Sequence, residues 1–336
     1  MKINNRRYIG CKTKLLNNIY NAVQELGYTN ENVFADIFAG TGVVAYKFAE
    51  NGYKTILNDT LKSNIVAYDT WLGSGELDIE KVNSKIDEFN ELPYDSIEEN
   101  YFSDIYAGKY FSINDAKKIG FIRESIANDT TLTDREKSYL ITSLMYATDK
   151  IANTVGHFES FLRKEPIDKN IKLSNLEVDD TITKAEIYCE DANKLVENIK
   201  TDIAYIDPPY NARQYVNFYH VLENLVRWNK PTEFEGNSMK FKRKELKSDY
   251  CRNKAPKLLE DLVNKLDCKL IVISYNNTYT AKSTSSNNMI QAEDIIRILE
   301  KKGKVTIKEI DHKFFNAGKT DFSEHKELLY ICEVAK

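Results

Sequence analysis

A chain of 336 residues, 42% hydrophobic and 29% charged, is expected to form one large or two medium globular domains, and its apolar runs are far too short to cross a membrane. Five scattered cysteines (Cys11, Cys189, Cys251, Cys268, Cys332), with no CxxC or Cys/His cluster, argue against a disulfide framework or a structural zinc site and for a reduced, intracellular protein. The net charge of −4 weighs against a nucleic-acid binder only as an average, because phosphate binding needs no more than a local basic surface.

The opening MKINNRRYIG has charges but no apolar core, so no secretory signal is expected. Apolar residues at helical spacing predict a helix from Leu15 to Leu26, with Gly27 as its C-cap. "NVFADIFAGTG" reads as a buried strand, Val33 to Phe38, breaking into a glycine turn. "VVAYKFAENG" is the following helix, and "YKTILND", ending at Asp59, a second strand. Strand, turn, helix and strand in that order imply a parallel sheet. Residues 73–180 differ in texture. They are rich in charge and tyrosine and read as mostly helical, with Thr133 and Glu136 spaced as a capping box. Sheet signals resume at Ala185–Asp191. A helix (Ala192–Ile199), a strand (Ile203–Ile206), a helix (Tyr215–Trp228), a basic loop, a helix (Lys257–Leu266) and a buried strand (Lys269–Asn277) follow. "KVTIKEIDHKFF" and "KELLYICEVA" are expected to close the sheet as a hairpin. The expected organisation is an α/β domain made of 1–72 and 181–336, an inserted helical domain at 73–180, and a basic loop at 231–257.

Two turns at strand ends carry the chemistry. Gly40-x-Gly42-x-x-Ala45 follows a strand and opens a helix. Glycine lets the backbone approach a ligand there, and Asp59 is spaced to reach a ribose diol. An adenosine-containing ligand fits, and NAD, FAD and S-adenosylmethionine all remain open. S-adenosylmethionine lacks a pyrophosphate and does not need the third glycine, which is Ala45 here. The second turn is "YIDPPYNARQY", where two of the chain's six prolines stand side by side after an apolar strand. In a parallel sheet this turn lies at the carboxyl edge, where ligands bind. Pro208 and Pro209 fix two successive φ angles. The Pro208 carbonyl, the Asp207 carboxylate and the face of Tyr210 are then held in fixed relation around one amino group. The exocyclic amine of a nucleobase suits such a site. Accepting hydrogen bonds from both N–H groups draws the nitrogen toward a tetrahedral, more nucleophilic geometry.

With these motifs in this order, the sequence resembles the D12 class of DNA adenine-N6 methyltransferases, in the alpha arrangement, over nearly its whole length. "RYIGCKTKLL" is similar to the family's N-terminal motif, "DIFAGTG" to its cofactor loop, "ILND" to its ribose-binding strand end, "YCEDA" to its adenine-edge acid and "DPPYNARQY" to its catalytic motif. The longer "DPPYNARQY…YHVLE" and "NTVGHFESFL" resemble a subgroup found among type IIS restriction–modification methylases. The resemblance implies a Rossmann-like sheet with helices on both faces, S-adenosylmethionine as cofactor and no metal. It implies Tyr8 and Lys12 near the methionine end of the cofactor, and Asp36, Phe38, Gly40 and Gly42 in its loop. Asp59 would hold the ribose and Asp191 the adenine amine. Asp207, Pro208, Pro209 and Tyr210 would surround the target base.

The N6 of adenine is buried in a duplex, so the base must flip out, and stacking on Tyr210 would offset part of that cost. Specificity is expected in 73–180, helped by the basic loop, where Lys240, Lys242, Arg243 and Lys244 would meet phosphates. Arg213 and Gln214, directly after the catalytic turn, would hold the orphan or a flanking base; the alternative is that they pack the turn. His157 reads equally as a DNA contact or a satisfied histidine. The implied partner is double-stranded DNA, with room for a cognate restriction endonuclease and no membrane. The implied protein is a monomer or weak homodimer in the cytoplasm of a prokaryotic cell. Cytosine-N4 or RNA-adenine transfer stays open on the turn alone. A nicotinamide or flavin oxidoreductase would leave the proline turn unexplained.

Overall fold

The computed structural model describes residues 2–3, 6–277, 286–311 and 326–335. The first helix, α1 (Leu16–Gln24), buries Ile19, Ala22 and Val23 along one stripe, and Gly27 turns the chain after it at φ +82°. Next come β1 (Val33–Asp36), α2 (Val43–Glu50), β2 (Lys54–Asn58) and α3 (Lys62–Leu72). The central segment supplies α4 (Ile79–Glu91), α5 (Tyr101–Tyr106), α6 (Ile113–Asn128) and α7 (Asp134–Ile151). The sheet resumes with β3 (Ala185–Tyr188), α8 (Ala192–Leu195), β4 (Ile203–Ile206) and α9 (Tyr215–Arg227). A two-stranded ribbon, β5 (Phe234–Glu235) and β6 (Lys240–Phe241), precedes α10 (Ala255–Lys265), β7 (Leu270–Asn276), α11 (Ala292–Glu300), β8 (Gly303–Asp311) and β9 (Lys326–Val334). The predicted closing hairpin forms as β8 and β9, though its His312–Phe315 part lies outside the described residues.

Among the described residues the main sheet has seven strands in the order β3-β2-β1-β4-β7-β9-β8. The first five run parallel, and β9 is antiparallel to both neighbours. β4 and β7 are buried at every position, as expected for parallel strands covered on both faces. Successive side chains part to opposite layers. Phe34 and Tyr205 join the core under α1 to α3, α7 and α9, whereas Ala35, Ala204 and Ile206 join the core under α8, α10 and α11. The result is the Rossmann-like α/β sheet with helices on both faces. Strand order reverses at β1, because β2 and β3 lie on one side of it and β4 on the other. A crevice opens at the carboxyl ends of two strands that part in this way.

The helices of 73–180 are built onto one face of this sheet. α7 belongs to the same core as α3 and α9, and the hydroxyls of Thr70 and Thr142 meet at 3.0 Å between helices. Arg123 of α6 donates to the carbonyls of Leu225 and Val226 at 2.8 and 3.0 Å, satisfying the last turn of α9. The Thr133–Glu136 capping box forms as the spacing predicts. No helix among the described residues is long and apolar enough to cross a membrane.

Candidate active site

β1 and β4 are paired, with Asp36 opposite Tyr205. The turns that leave these strands, 37–42 and 207–210, therefore open on the same edge of the sheet. Between them lies an open cleft lined by both turns. Its third wall is the N-terminal segment, which the chemistry of α9 holds in place. Tyr8 stacks on Tyr219 with ring centroids 4.7 Å apart, and Ile9 N donates to the Tyr219 hydroxyl at 2.7 Å. In this way Tyr219 of "YHVLE" lays Tyr8 to Lys12 across the cleft. Glu223 of the same motif accepts Lys62 N and Ser63 N at 2.9 and 3.0 Å, which caps the exposed donors at the start of α3.

The glycine turn is held by its neighbours. Gly40 and Gly42 have φ of +55° and +78°, and a Cβ on Gly42 would stand 2.8 Å from the Tyr68 ring. The Tyr68 hydroxyl donates to the Gly40 carbonyl at 2.6 Å. Asp59 accepts Gly40 N at 3.0 Å and Leu61 N at 2.8 Å, tying the end of β2 to the loop. Burial pushes its pKa up to about 6, partly offset by these N–H groups. Phe38 lines the cleft and sets its ring against Tyr250. Asp36 also lines the cleft, and its buried carboxylate has no ion pair or side-chain hydrogen bond among the described residues, with only the Ala45 backbone N–H directed toward it. Burial, with Asp207 and Asp59 nearby, raises its pKa well above the carboxylate range.

Asp191 also has a structural use, through Oδ1 alone. Its side chain caps α8 by accepting Asn193 N and Lys194 N at 3.1 and 3.3 Å, while its neighbours Glu190 and Ala192 line the cleft. An aspartate one residue before a helix finds free backbone donors at once, and here it takes them.

At the proline turn, Asp207 and Pro209 line the cleft and Pro208 is buried. Met289 N and the Tyr275 hydroxyl both donate to the Tyr210 carbonyl, at 2.7 and 3.0 Å, which fixes the turn's exit. Lys12 Nζ stands 3.0 Å from Asp207 Oδ1 and 3.1 Å from Glu327 Oε1. The Tyr210 hydroxyl, with one proton to give, is 2.7 Å from Asp207 Oδ1 and 2.5 Å from Glu327 Oε1. The Tyr210 ring is thereby drawn toward the charged cluster and against Tyr275, at 4.6 Å. Asp207 Oδ2 and the Pro208 carbonyl accept no hydrogen bond among the described residues. Burial raises Asp207 to a pKa of about 6, against the lowering effect of Lys12. Burial alone would lower the Lys12 ammonium, but Asp207 and Glu327 together raise it.

Glu327 is the site residue that sequence reasoning missed. The available signal was a charged residue on the face of "KELLYICEVA" that also carries Leu329 and Ile331, both buried in the core.

The basic segment divides by partner. Arg243 is buried and bonded to Asn217 at 2.8 Å, Glu235 at 3.0 Å and the Phe241 carbonyl at 3.0 Å. It holds the ribbon to α9 and does not reach outward. Lys242 pairs with Glu233, and Arg252 and Lys254 with Asp249. Lys240 is part-buried, and that burial lowers its pKa. Exposed Lys244, Lys247 and Lys257 have no ion pair among the described residues. Gln214 exchanges two hydrogen bonds with the Ser248 backbone, at 2.9 and 2.8 Å, and so latches the loop to the catalytic turn. Arg213 beside it is exposed. His157 packs on Phe218 at 5.0 Å and accepts Glu159 N at 3.3 Å.

Residues 8–307 match the family described as D12 class N6 adenine-specific DNA methyltransferase. The chain is 34% identical to modification methylase StsI of Streptococcus sanguinis, over 96% of this chain and 50% of that protein. It is 30% identical to type II methyltransferase M.NlaIII of Neisseria lactamica, over 97% of this chain and 98% of that protein. It is also 30% identical to type II methyltransferase M.FokI of Planomicrobium okeanokoites, over 97% of this chain and 52% of that protein. The chain thus spans about half the length of the StsI and FokI proteins and nearly all of the NlaIII protein.

Proposed function

The chain belongs to the D12 class of N6 adenine-specific DNA methyltransferases, and from that membership we propose that it transfers a methyl group from S-adenosylmethionine to N6 of an adenine turned out of duplex DNA. The observation that carries this reading is the pair of free acceptors, Asp207 Oδ2 and the Pro208 carbonyl, on a rigid turn beside the cleft. The cofactor's chemistry fits the same cleft. Asp36 is a buried acid with no cation paired to it among the described residues, and S-adenosylmethionine carries an ammonium and a sulfonium. Asp59 accepts from Gly40 N, Leu61 N and the Asn64 side chain, and its about four lone-pair sites leave acceptor capacity for a ribose hydroxyl. Bound there, S-adenosylmethionine supplies a methyl group made electrophilic by its sulfonium.

The protein's task is then orientation and electrostatics. Asp207 and Pro208 accept the two N6 hydrogens and localise the nitrogen lone pair. The N–C bond forms as the S–C bond breaks, and the cationic N6 loses a proton to the adjacent ionised Asp207. The acid need not be a strong base, because the proton departs from a nitrogen that already carries positive charge. Residues 73–180 are the target-recognition part of this scheme, and 1–72 with 181–336 the catalytic part. Lys244 and Lys247, with Arg213, are the groups available to DNA phosphates and bases. By its relatives' names we assign the protein to a restriction–modification setting, with a cognate endonuclease as partner and a prokaryotic cytoplasm as compartment.

Methyl-labelled S-adenosylmethionine and DNA of random sequence test the reading. Label is expected on N6 of adenine at one sequence. Label on cytosine alone, or none in DNA, overturns it. Asp207→Ala should reduce transfer by at least about 100-fold, with cofactor affinity changed no more than a few-fold.

A further inference from the structure

Lys12 is shared. A buried lysine beside one carboxylate forms a closed, neutral pair, and the acid in such a pair is a weak acceptor for anything else. Here the ammonium stands midway, 3.0 Å from Asp207 and 3.1 Å from Glu327. Glu327 is anchored from the far side by the Ser274 hydroxyl, which donates to Oε1 at 2.8 Å. Two carboxylates, one ammonium and one phenol give the cluster a net charge of −1. It sits against the atoms that would receive a nitrogen turning positive.

We propose that Glu327 is a positioning residue for methyl transfer, holding Lys12 and the Tyr210 hydroxyl between two acids so that Lys12 does not close Asp207 into a neutral pair and the cluster keeps its net negative charge toward the target amine. The inference rests on the reading in which Asp207 accepts that amine. Without the second carboxylate, Lys12 closes onto Asp207 and the cluster becomes neutral. Stabilisation of the cationic nitrogen is then lost in the transition state and not in the ground state, so kcat falls while KM holds.

A second consequence separates this role from mere packing. Asp207 is faced by Lys12 from the N-terminal segment, Glu327 from β9, Asp36 from β1, Tyr205 from β4, Tyr210 from its own turn and Tyr215 from α9. Burial is the main cause of its raised pKa, and the charge of Glu327 adds to it while Lys12 opposes it. Removing that charge lowers the pKa of Asp207. Activity that needs ionised Asp207 therefore survives to lower pH.

Glu327→Gln keeps the size and the bond to Ser274. We expect kcat to fall about 10- to 100-fold, KM for DNA and cofactor to stay within about two-fold, and the acid limb of the kcat profile to move to lower pH. Glu327→Asp should restore part of kcat and return the limb toward that of the parent. Ser274→Ala loosens the anchor but keeps the charge, so it should cost only a few-fold with the limb unmoved. Parent-like kcat in Glu327→Gln, or a fall with an unmoved limb, overturns the proposal. If Glu327→Gln does not fold, a shifted limb in Ser274→Ala or no recovery in Glu327→Asp overturns it instead. An active Asp207→Ala removes the underlying reading, whereas an inactive Asp207→Ala beside a parent-like Glu327→Gln removes only the role of Glu327.

Discussion

Among the described residues Asp36 is a buried acid with no cation paired to it, and burial raises its pKa. Its carboxylate ends β1 in the cleft with no ion pair or side-chain hydrogen bond among the described residues. An acid whose folded pKa is raised costs stability as pH climbs from its unfolded pKa of about 3.9 toward the folded one, because the unfolded chain ionises the group first, and the loss levels off above the folded pKa. The ligand-free protein should therefore melt at lower temperature as pH climbs above about 4. Asp36→Asn should flatten that slope, raise the melting temperature at the alkaline end, and weaken S-adenosylmethionine binding about ten-fold or more. A variant as pH-sensitive as the parent, with affinity intact, would show that Asp36 is an ordinary core polar group. The sequence exposes this residue as a strand-end acid before a glycine turn. It cannot reveal that the acid goes unpaired, because that depends on what β4, β2 and the N-terminal segment fail to bring near it.

At the scale of elements, local signals were legible wherever the physics is local. The glycine turn, the capping box of α7 and the stop after β4 depend on residues within a few positions of one another, and each forms as the spacing indicates. The basic loop shows the opposite case. Its composition is real, but partners decide which charges are free. Arg243 is used inside, Lys242 is matched by Glu233, and Lys244, Lys247 and Lys257 remain exposed with no ion pair among the described residues. Replacing Lys244 and Lys247 with glutamine should weaken DNA binding and reduce the salt slope by about 2, one phosphate contact for each. Arg243→Gln should instead loosen the ribbon, visible as faster proteolysis of 231–251 without DNA present. An unchanged slope in the double variant would return the loop to a solvated face. Asp191 teaches the same lesson. A carboxylate beside a helix start has a local use that competes with any ligand, and a sequence does not say which prevails.

For the whole molecule, the sheet's class was readable from the alternation of apolar strands with helices, but the order of its last strands was not. A hairpin at the end of the chain suggests an edge. Yet β9 enters between β7 and β8, pairing with both along its length. Without it, β7 and β8 each lose a complete ladder of hydrogen bonds and expose an apolar edge. A chain ending before Lys326 should give no cooperative melting transition and should aggregate; a soluble, sharply melting truncation would mean the remaining strands close on themselves. The same insertion orders events in time. Lys12 and Asp207 are synthesised long before Glu327, and the strand that carries Glu327 arrives after every other strand of the sheet. A nascent chain thus holds a lone lysine–aspartate pair in an unfinished sheet. Assembly of the Lys12–Asp207–Glu327–Tyr210 cluster would thus be completed with β9, as a single event, and not grow strand by strand.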